Sequence, residues 1–185
     1  IAGTALINFT NFIDGIDGLL ASNMIITFIH ISILNQNNNL TALIGGLLAF
    51  FLFNKSPAKV FMGDVGSTFL GAVLFMEIIK INEYKQAFLS FAGSFPIYCD
   101  ALLCLIARFV SKENIFLSHK EHLYQRLVSS SFTHNKISLI YSLSSLLICL
   151  SCYTYNIKVV ALVMSFVFTM GLILNAFYAK PFLEK

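Results

Sequence analysis

The sequence has few charged residues. Of its 185 residues, 11% are Asp, Glu, Lys or Arg, whereas 57% are hydrophobic, and the mean hydropathy is +0.80. A soluble globular domain carries roughly 25% charged residues, because its surface must stay hydrated. This composition therefore excludes an ordinary soluble globule and indicates a membrane protein.

Several other features are also missing. No internal repeat or low-complexity tract is found. No basic segment precedes the first apolar stretch, so a signal peptide is not predicted, and the start at Ile1 suggests an incomplete N-terminus. Four cysteines are present, but the Cys149/Cys152 pair lies in an apolar run without βαβ context. We interpret the cysteines as small buried side chains rather than a redox or zinc motif.

The apolar residues form blocks close to the length that a helix needs to cross hydrocarbon. These blocks predict an all-α, polytopic transmembrane helical bundle with six full spans and the end of a seventh, at 1–13. The predicted full spans are residues 19–34, 40–53, 67–81, 86–107, 136–153 and 158–178.

Basic residues predict the orientation, because Lys and Arg accumulate in cytoplasmic loops. When the spans alternate, nine of the twelve basic residues fall on one side and three on the other. The richer side is therefore predicted to be cytoplasmic. It also receives the unusual polar residues of three distant segments, namely Asp14, Asp17, Asp64, His119 and His122.

The first of these segments is NFTNFIDGIDGLLA, from Asn8, in which Asp14 and Asp17 are each followed by a glycine. Acids three residues apart share one face if the segment is helical. Asp is also a common helix cap, but a cap needs only one acid. Two acids with two asparagines at a membrane interface favour a functional site.

The second segment is FMGDVGSTFLG, from Phe61, with Asp64 in a glycine-flanked turn before a helix predicted to begin at Ser67. Carboxylate oxygens suit Mg²⁺, which bridges substrate phosphates, and a helix N-terminus can face an anion. A plain helix cap explains this loop equally well when it is considered alone.

The third segment is HKEHLYQRL, in which His119, His122 and Arg126 form a cationic cluster able to bind phosphates. The alternative is a basic loop that contacts anionic lipid. Just before it, Asp100 lies within a predicted span. A catalytic role for Asp100 and a structural interaction with Arg108 or with the backbone are equally compatible with the sequence.

Together, NFTNFIDGIDGLLA, FMGDVGSTFLG, PIYCDALLCLIARF and HKEHLYQRL resemble, in that order, the polyprenyl-phosphate N-acetylhexosamine-1-phosphate transferase family (glycosyltransferase family 4). The resemblance implies that a UDP-N-acetylhexosamine donates its sugar-1-phosphate to a polyprenyl (undecaprenyl) phosphate and that UMP is released. It implies Mg²⁺ as cofactor, with Mn²⁺ as the alternative ion, and no nucleic-acid partner. It also implies a bacterial inner-membrane protein whose site faces the cytoplasm, with a homodimer left open.

The resemblance also implies residue roles. Asp64 matches the metal-binding aspartate, and Asp14 and Asp17 match an acidic pair in the active site. His119 and His122 lie in a loop that contacts substrate phosphates. The residues implied in substrate binding are Asn11, Asn54, Phe61 and Arg126.

Two departures from the family pattern shape the expectation. An earlier loop with adjacent aspartates and the first helices are missing, so residues 1–185 are expected to form the C-terminal part of one catalytic domain, inactive alone. HKEHLYQRL also lacks consecutive histidines, which favours initiation of a lipid-linked surface polysaccharide of O-antigen type. The alternative is the peptidoglycan-precursor phospho-N-acetylmuramoyl-pentapeptide transferase.

Two unrelated classes compete with this hypothesis. The CDP-alcohol phosphotransferases need an Arg and further aspartates after the first Asp-Gly, but Leu-Leu-Ala-Ser-Asn follows Gly18. A membrane transporter, the more remote alternative, would be expected to place ionisable residues near the midplane and to show repeats.

Overall fold

The computed structural model describes residues 1–114 and 121–182 and shows nine α-helices and one short 3₁₀-helix (Asn38–Leu40) in these ranges, with no strand among them. The helices are α1 (Ala2–Ile13), α2 (Leu19–Leu34), α3 (Thr41–Asn54), α4 (Gly63–Ile79), α5 (Tyr84–Ala92), α6 (Phe95–Val110), α7 (Leu123–Ser129), α8 (His134–Cys152) and α9 (Ile157–Phe177). The predicted all-α class is therefore confirmed.

The number of membrane spans is smaller than predicted when length and apolarity are both required. Of the described helices, α8 and α9 meet both requirements, and α5 with α6 meets them as a pair bent by 85°. Helix α2 and the segment Asn38–Asn54 are apolar but shorter. The candidate spans are thus two, or three if the bent pair is counted as one, and the predicted count of six full spans is not confirmed.

The predicted span 86–107 is broken in the middle. Helix α5 ends at Ala92 and α6 starts at Phe95, with Pro96 in its first turn. Proline has no N–H to continue a preceding helix, so it favours a new helix start. Gly93 lies at the break, and a Cβ there would lie 2.5 Å from the Cys149 sulfur on α8. The glycine at position 93 therefore allows α8 to approach the break closely, which a residue with a side chain would prevent.

Helix α4 begins four residues earlier than predicted, at Gly63 rather than Ser67. Gly63 has φ of +67°, a conformation that glycine adopts without strain. Asp64 therefore lies in the first turn of α4, where the helix dipole favours a negative charge. The sequence pattern instead predicts that Asp64 lies in the loop before the helix.

Helix α2 forms the centre of the bundle, with eleven buried residues. Hydroxyl and amide groups join it to α8: Ser142 donates to Ser22 at 2.8 Å, and Ser145 donates to Asn23 at 2.8 Å. Such polar links are typical of helix contacts in membranes, where burial of apolar surface drives little association. Helix α9 has one buried residue, Val160, so it lies at the periphery.

Helix α1 packs closely on α4 and α6. A Cβ on Gly71 of α4 would lie 2.9 Å from the Ile7 Cα, so the two backbones touch there. The hydroxyls of Thr10 and Tyr98 meet at 2.7 Å between α1 and α6. These contacts fix the C-terminal end of α1 beside the start of α4, where the candidate site lies.

Candidate functional site

The end of α1 meets the start of α4 at a pair of aspartates. Asn11, in the last turn of α1, donates from its amide to Asp64 Oδ1 at 3.1 Å and to the Ser67 hydroxyl at 2.9 Å. Asp14 follows α1 directly. Burial, together with the negative charge of Asp64, raises the pKa of Asp14 to about 7. Two carboxylates thus share one region, an arrangement that favours a bound cation or a retained proton.

Asp17 lies in a different environment, although it is in the same loop (residues 14–18, the DG loop). Its Oδ2 accepts the Ala58 N–H at 3.3 Å and lies 3.2 Å from His134 Nδ1. Partial burial acts to raise its pKa, but the hydrogen bonds from Ala58, His134 and Ser56 outweigh burial and lower it. Asp17 is therefore held ionised by the protein, unlike Asp14.

Asn54 joins the DG loop to the loop that follows α3. The buried Asn54 side chain accepts the Gly18 N–H at 3.1 Å and donates to the Val60 carbonyl at 2.9 Å. Gly18 has φ of +75°, which glycine tolerates. These hydrogen bonds give Asn54 a structural role in addition to its predicted contact with substrate. Phe61, also predicted to contact substrate, is 74% exposed just before Asp64, where a ligand can reach it.

Of the two histidines in the predicted cluster, His122 lies within the described residues and His119 lies outside them. His122 is buried as the N-cap of α7, and its ring stacks on Tyr124 with centroids 5.6 Å apart. Burial lowers the pKa of His122 despite the nearby Asp100 carboxylate, whose Oδ1 lies 3.9 Å from Nδ1. Burial therefore favours the neutral form of the His122 ring, at the N-cap of α7.

Arg126 points toward the C-terminal segment. Its guanidinium donates to the Glu121 carbonyl at 3.1 Å, the Lys180 carbonyl at 2.8 Å and the Asn175 side chain. These bonds tie α7 to the end of α9. The structure thus brings Asn11, Asp14 and Asp64 together, while Asp17 contacts Ala58 and His134 and Arg126 contacts the end of α9.

His134 is the site residue that the sequence analysis missed. It opens α8, 117 residues from Asp17, and its Nδ1 lies 3.4 Å from the Asp17 backbone nitrogen as well as 3.2 Å from the Asp17 carboxylate. The chain has only four histidines, so the histidine in the polar His-Asn-Lys start of this helix could have been identified from the sequence as a candidate site residue. Its partner, however, could not be read from sequence.

We expect His134→Gln in the complete protein to lower kcat/KM about tenfold, because a hydrogen bond to a charged group is worth about 1.5–3 kcal/mol. Lys136→Gln, two residues along the same helix start and exposed, is the matched control. Steady-state kinetics of both variants would test the role of His134. Equal kinetics for the two variants would show that His134 does not support Asp17.

The donor set fits a magnesium ion that is completed by a substrate. In the described parts of the chain, no three His, Cys, Asp or Glu side chains are close enough to enclose a metal. Mg²⁺ usually takes one or two protein carboxylates and completes its shell with waters and substrate phosphates. The exposed Asp64 carboxylate, with the carboxyl group of Asp14 nearby, suits that mode of binding.

A cavity of about 620 Å³ lies between α6, α8 and α9, away from the aspartate pair. Its wall is mainly apolar, and Asp100, Glu121 and Arg126 line one part of it. The cavity is therefore separate from the carboxylate site.

The fold and the site define a class: a helical membrane protein with a carboxylate site at one end of its bundle. The profile of glycosyl transferase family 4 matches residues 1–82. The chain is 42% identical over 96 residues to the phospho-N-acetylmuramoyl-pentapeptide-transferase of Streptococcus agalactiae, covering 48% of this chain and 29% of the relative. It is 44% identical over 82 residues to the enzyme of that name from Leuconostoc citreum, covering 40% and 26%.

A longer match reaches the phospho-N-acetylmuramoyl-pentapeptide-transferase of Chlamydia trachomatis, with 32% identity over 150 residues, or 73% of this chain and 44% of the relative. The chain thus spans less than half the length of these curated relatives. Residues 1–82 therefore match glycosyl transferase family 4, the family that the motifs predicted. The relatives' names favour the peptidoglycan-precursor alternative over the surface-polysaccharide branch preferred from HKEHLYQRL.

Proposed function

We propose that the complete protein transfers phospho-N-acetylmuramoyl-pentapeptide from its UDP-linked donor to a polyprenyl phosphate and releases UMP. The carrying observation is the Asn11–Asp64 contact, which places the acid of the second motif beside Asp14 of the first. The named relatives support this choice of sugar. We place the reaction at the cytoplasmic face of a bacterial inner membrane, from the distribution of basic residues.

The proposed chemistry is phosphoryl transfer, which depends mainly on positioning and charge neutralisation. Asp64 would hold Mg²⁺, which when bound neutralises charge on the diphosphate. Asn11 orients the Asp64 carboxylate through the 3.1 Å contact with Oδ1. Asp14, whose pKa of about 7 is near neutrality, can accept at its carboxylate the proton of the attacking lipid phosphate.

The lipid substrate requires an apolar path beside the site. We assign the mainly apolar cavity between α6, α8 and α9, which lies away from the aspartate pair, to part of the polyprenyl chain rather than to its phosphate. The reacting phosphate would lie at the end of the bundle that holds the aspartates. This arrangement supports an enzyme that joins a soluble donor to a membrane acceptor.

The test is transfer by the complete protein in lipid, with undecaprenyl phosphate and Mg²⁺. UDP-N-acetylmuramoyl-pentapeptide, UDP-N-acetylglucosamine and UDP-N-acetylgalactosamine are offered separately, and radiolabel in the lipid is measured. We expect the pentapeptide donor to be used. Transfer from another donor would favour the surface-polysaccharide branch, and donor binding without transfer by any of them would favour a non-catalytic role.

A further inference from the structure

The two charged residues buried in α6 contact the segment around α7 instead of each other. Asp100 and Arg108 are 6% and 4% exposed. The sequence is compatible with three roles for Asp100: an ion pair with Arg108, an interaction with the backbone, or catalysis. The structure shows that both side chains bind the connection between α6 and α8.

Asp100 caps the start of α7. Its carboxylate accepts the Leu123 N–H at 2.8 Å, the Tyr124 N–H at 3.3 Å and the Tyr141 hydroxyl at 2.7 Å. Three donors therefore surround a carboxylate within the protein interior. These hydrogen bonds offset the cost of burying the carboxyl group, and they leave it engaged by the protein rather than by a substrate.

Arg108 holds both sides of the same connection. Its guanidinium donates to the Glu121 carboxylate at 2.6 Å and to the Asn114 carbonyl at 2.6 Å. The residues on either side of 115–120 are thereby attached to one side chain. Together, Asp100 and Arg108 anchor α7 to α6.

Tyr124 carries this anchoring to the candidate site. It is fully buried, and its hydroxyl donates to the Phe12 carbonyl at 2.9 Å, in the last turn of α1. A Cβ built on Gly15 would lie 2.1 Å from that hydroxyl oxygen. The hydroxyl therefore touches the backbone on both sides of Asp14.

We propose that Asp100 and Tyr124 are positioning residues that act through α7: Asp100 fixes α7, and the Tyr124 hydroxyl then fixes the backbone that carries Asp14 beside Asp64. Neither residue needs to touch the substrate. The proposal rests on the proposed transfer reaction for its kinetic readout, and it adds a reason for the glycine at position 15.

The chain offers a matched pair of variants, Tyr124→Phe and Tyr141→Phe. Both remove one phenolic hydroxyl from a buried tyrosine joined to the Asp100 capping site, but only Tyr124 reaches α1. In the complete protein we expect Tyr124→Phe to lower kcat about tenfold, with KM within about twofold of wild type. Tyr141→Phe leaves Asp100 its two donors from α7, so it should lower kcat clearly less than Tyr124→Phe does, whatever its effect on Tm.

A second test uses the close contact at Gly15. Gly15→Ala should lower kcat strongly, because the new methyl group collides with the Tyr124 hydroxyl. Tyr124→Phe in the same protein removes that oxygen and leaves Cζ at 3.0 Å, so the double variant should regain about tenfold over Gly15→Ala. This gain would appear even though each single change is harmful.

The outcomes separate this inference from the proposed function. If the wild-type protein transfers no sugar phosphate, the proposed function fails. If wild type is active, equal kcat losses in Tyr124→Phe and Tyr141→Phe that follow their Tm losses would overturn the positioning role. Additive losses in the Gly15→Ala/Tyr124→Phe protein would overturn it as well.

Discussion

Replacing Asp64 with Asn in the complete protein is expected to lower the transfer rate by about 10²- to 10³-fold, the usual cost of losing one charge-stabilising group. Asn keeps the size of the side chain and an oxygen that can accept the Asn11 amide. The substitution therefore removes negative charge while preserving the 3.1 Å contact between α1 and α4. The expected loss reports on charge rather than on folding.

The control is Glu113→Gln, which removes one exposed carboxylate just after α6. It should leave transfer within about twofold of wild type. Titration with Mg²⁺ supplies a second readout, because Asp64→Asn should need a higher concentration for half-maximal activity. Near-normal transfer with an unchanged Mg²⁺ requirement would refute the metal role of Asp64.

Asp14→Asn is expected to separate activity from stability. Transfer should fall by about 10²-fold, because the variant can neither take a proton nor add negative charge beside Asp64. At high pH, by contrast, the Asp14→Asn protein should be more stable than wild type. Burial and the Asp64 charge disfavour the ionised Asp14, so a neutral side chain fits this position better.

The sign follows from the pKa of Asp14, which is 3.8 in the unfolded chain and about 7 in the folded protein. Between these values the folded state binds more protons, so its stability falls as pH rises through the window. At pH 8 without divalent cations, Asp14→Asn should therefore have the higher Tm. Near pH 4 the difference should largely disappear, because Asp14 is then protonated in the folded protein.

Added Mg²⁺ supplies the discriminating measurement for Asp14. A cation near the two carboxylates relieves their repulsion, so Mg²⁺ should raise the Tm of wild type more than that of Asp14→Asn. Thermal unfolding at pH 8, with and without Mg²⁺, measures both effects. A lower Tm for Asp14→Asn at pH 8 would instead show that the ionised Asp14 carboxylate stabilises the folded protein.

Most helix positions were predictable because the apolar blocks are long and polar breaks separate them, but α7, between the predicted spans 86–107 and 136–153, was not predicted. Predicted and observed starts differ by one residue at α3 and by two at α8. The larger differences occur at α4 and at the α5–α6 break. At both, glycine or proline chemistry acts over a few residues within an otherwise apolar run, which periodicity does not resolve.

The motifs predicted the candidate acids, but they did not predict how the environments of these acids differ. Asp14 and Asp17 look equivalent in the motif, yet the pKa of one is raised and that of the other is lowered. The difference comes from Ala58 and His134, which are distant in sequence. Likewise, the role of Asp100 depends on the backbone of α7, for which a sequence motif contains no direct signal.

The sequence by itself determined the helical class, the membrane setting, the similarity to glycosyl transferase family 4 and the acids proposed for the site, because composition, block length and local motifs carry that information. Only the tertiary structure decided which acid keeps its proton, which histidine supports the other acid and what the buried Asp100 holds. Those properties depend on distances between segments far apart in the chain, and pKa and hydrogen bonding respond to such distances rather than to sequence order.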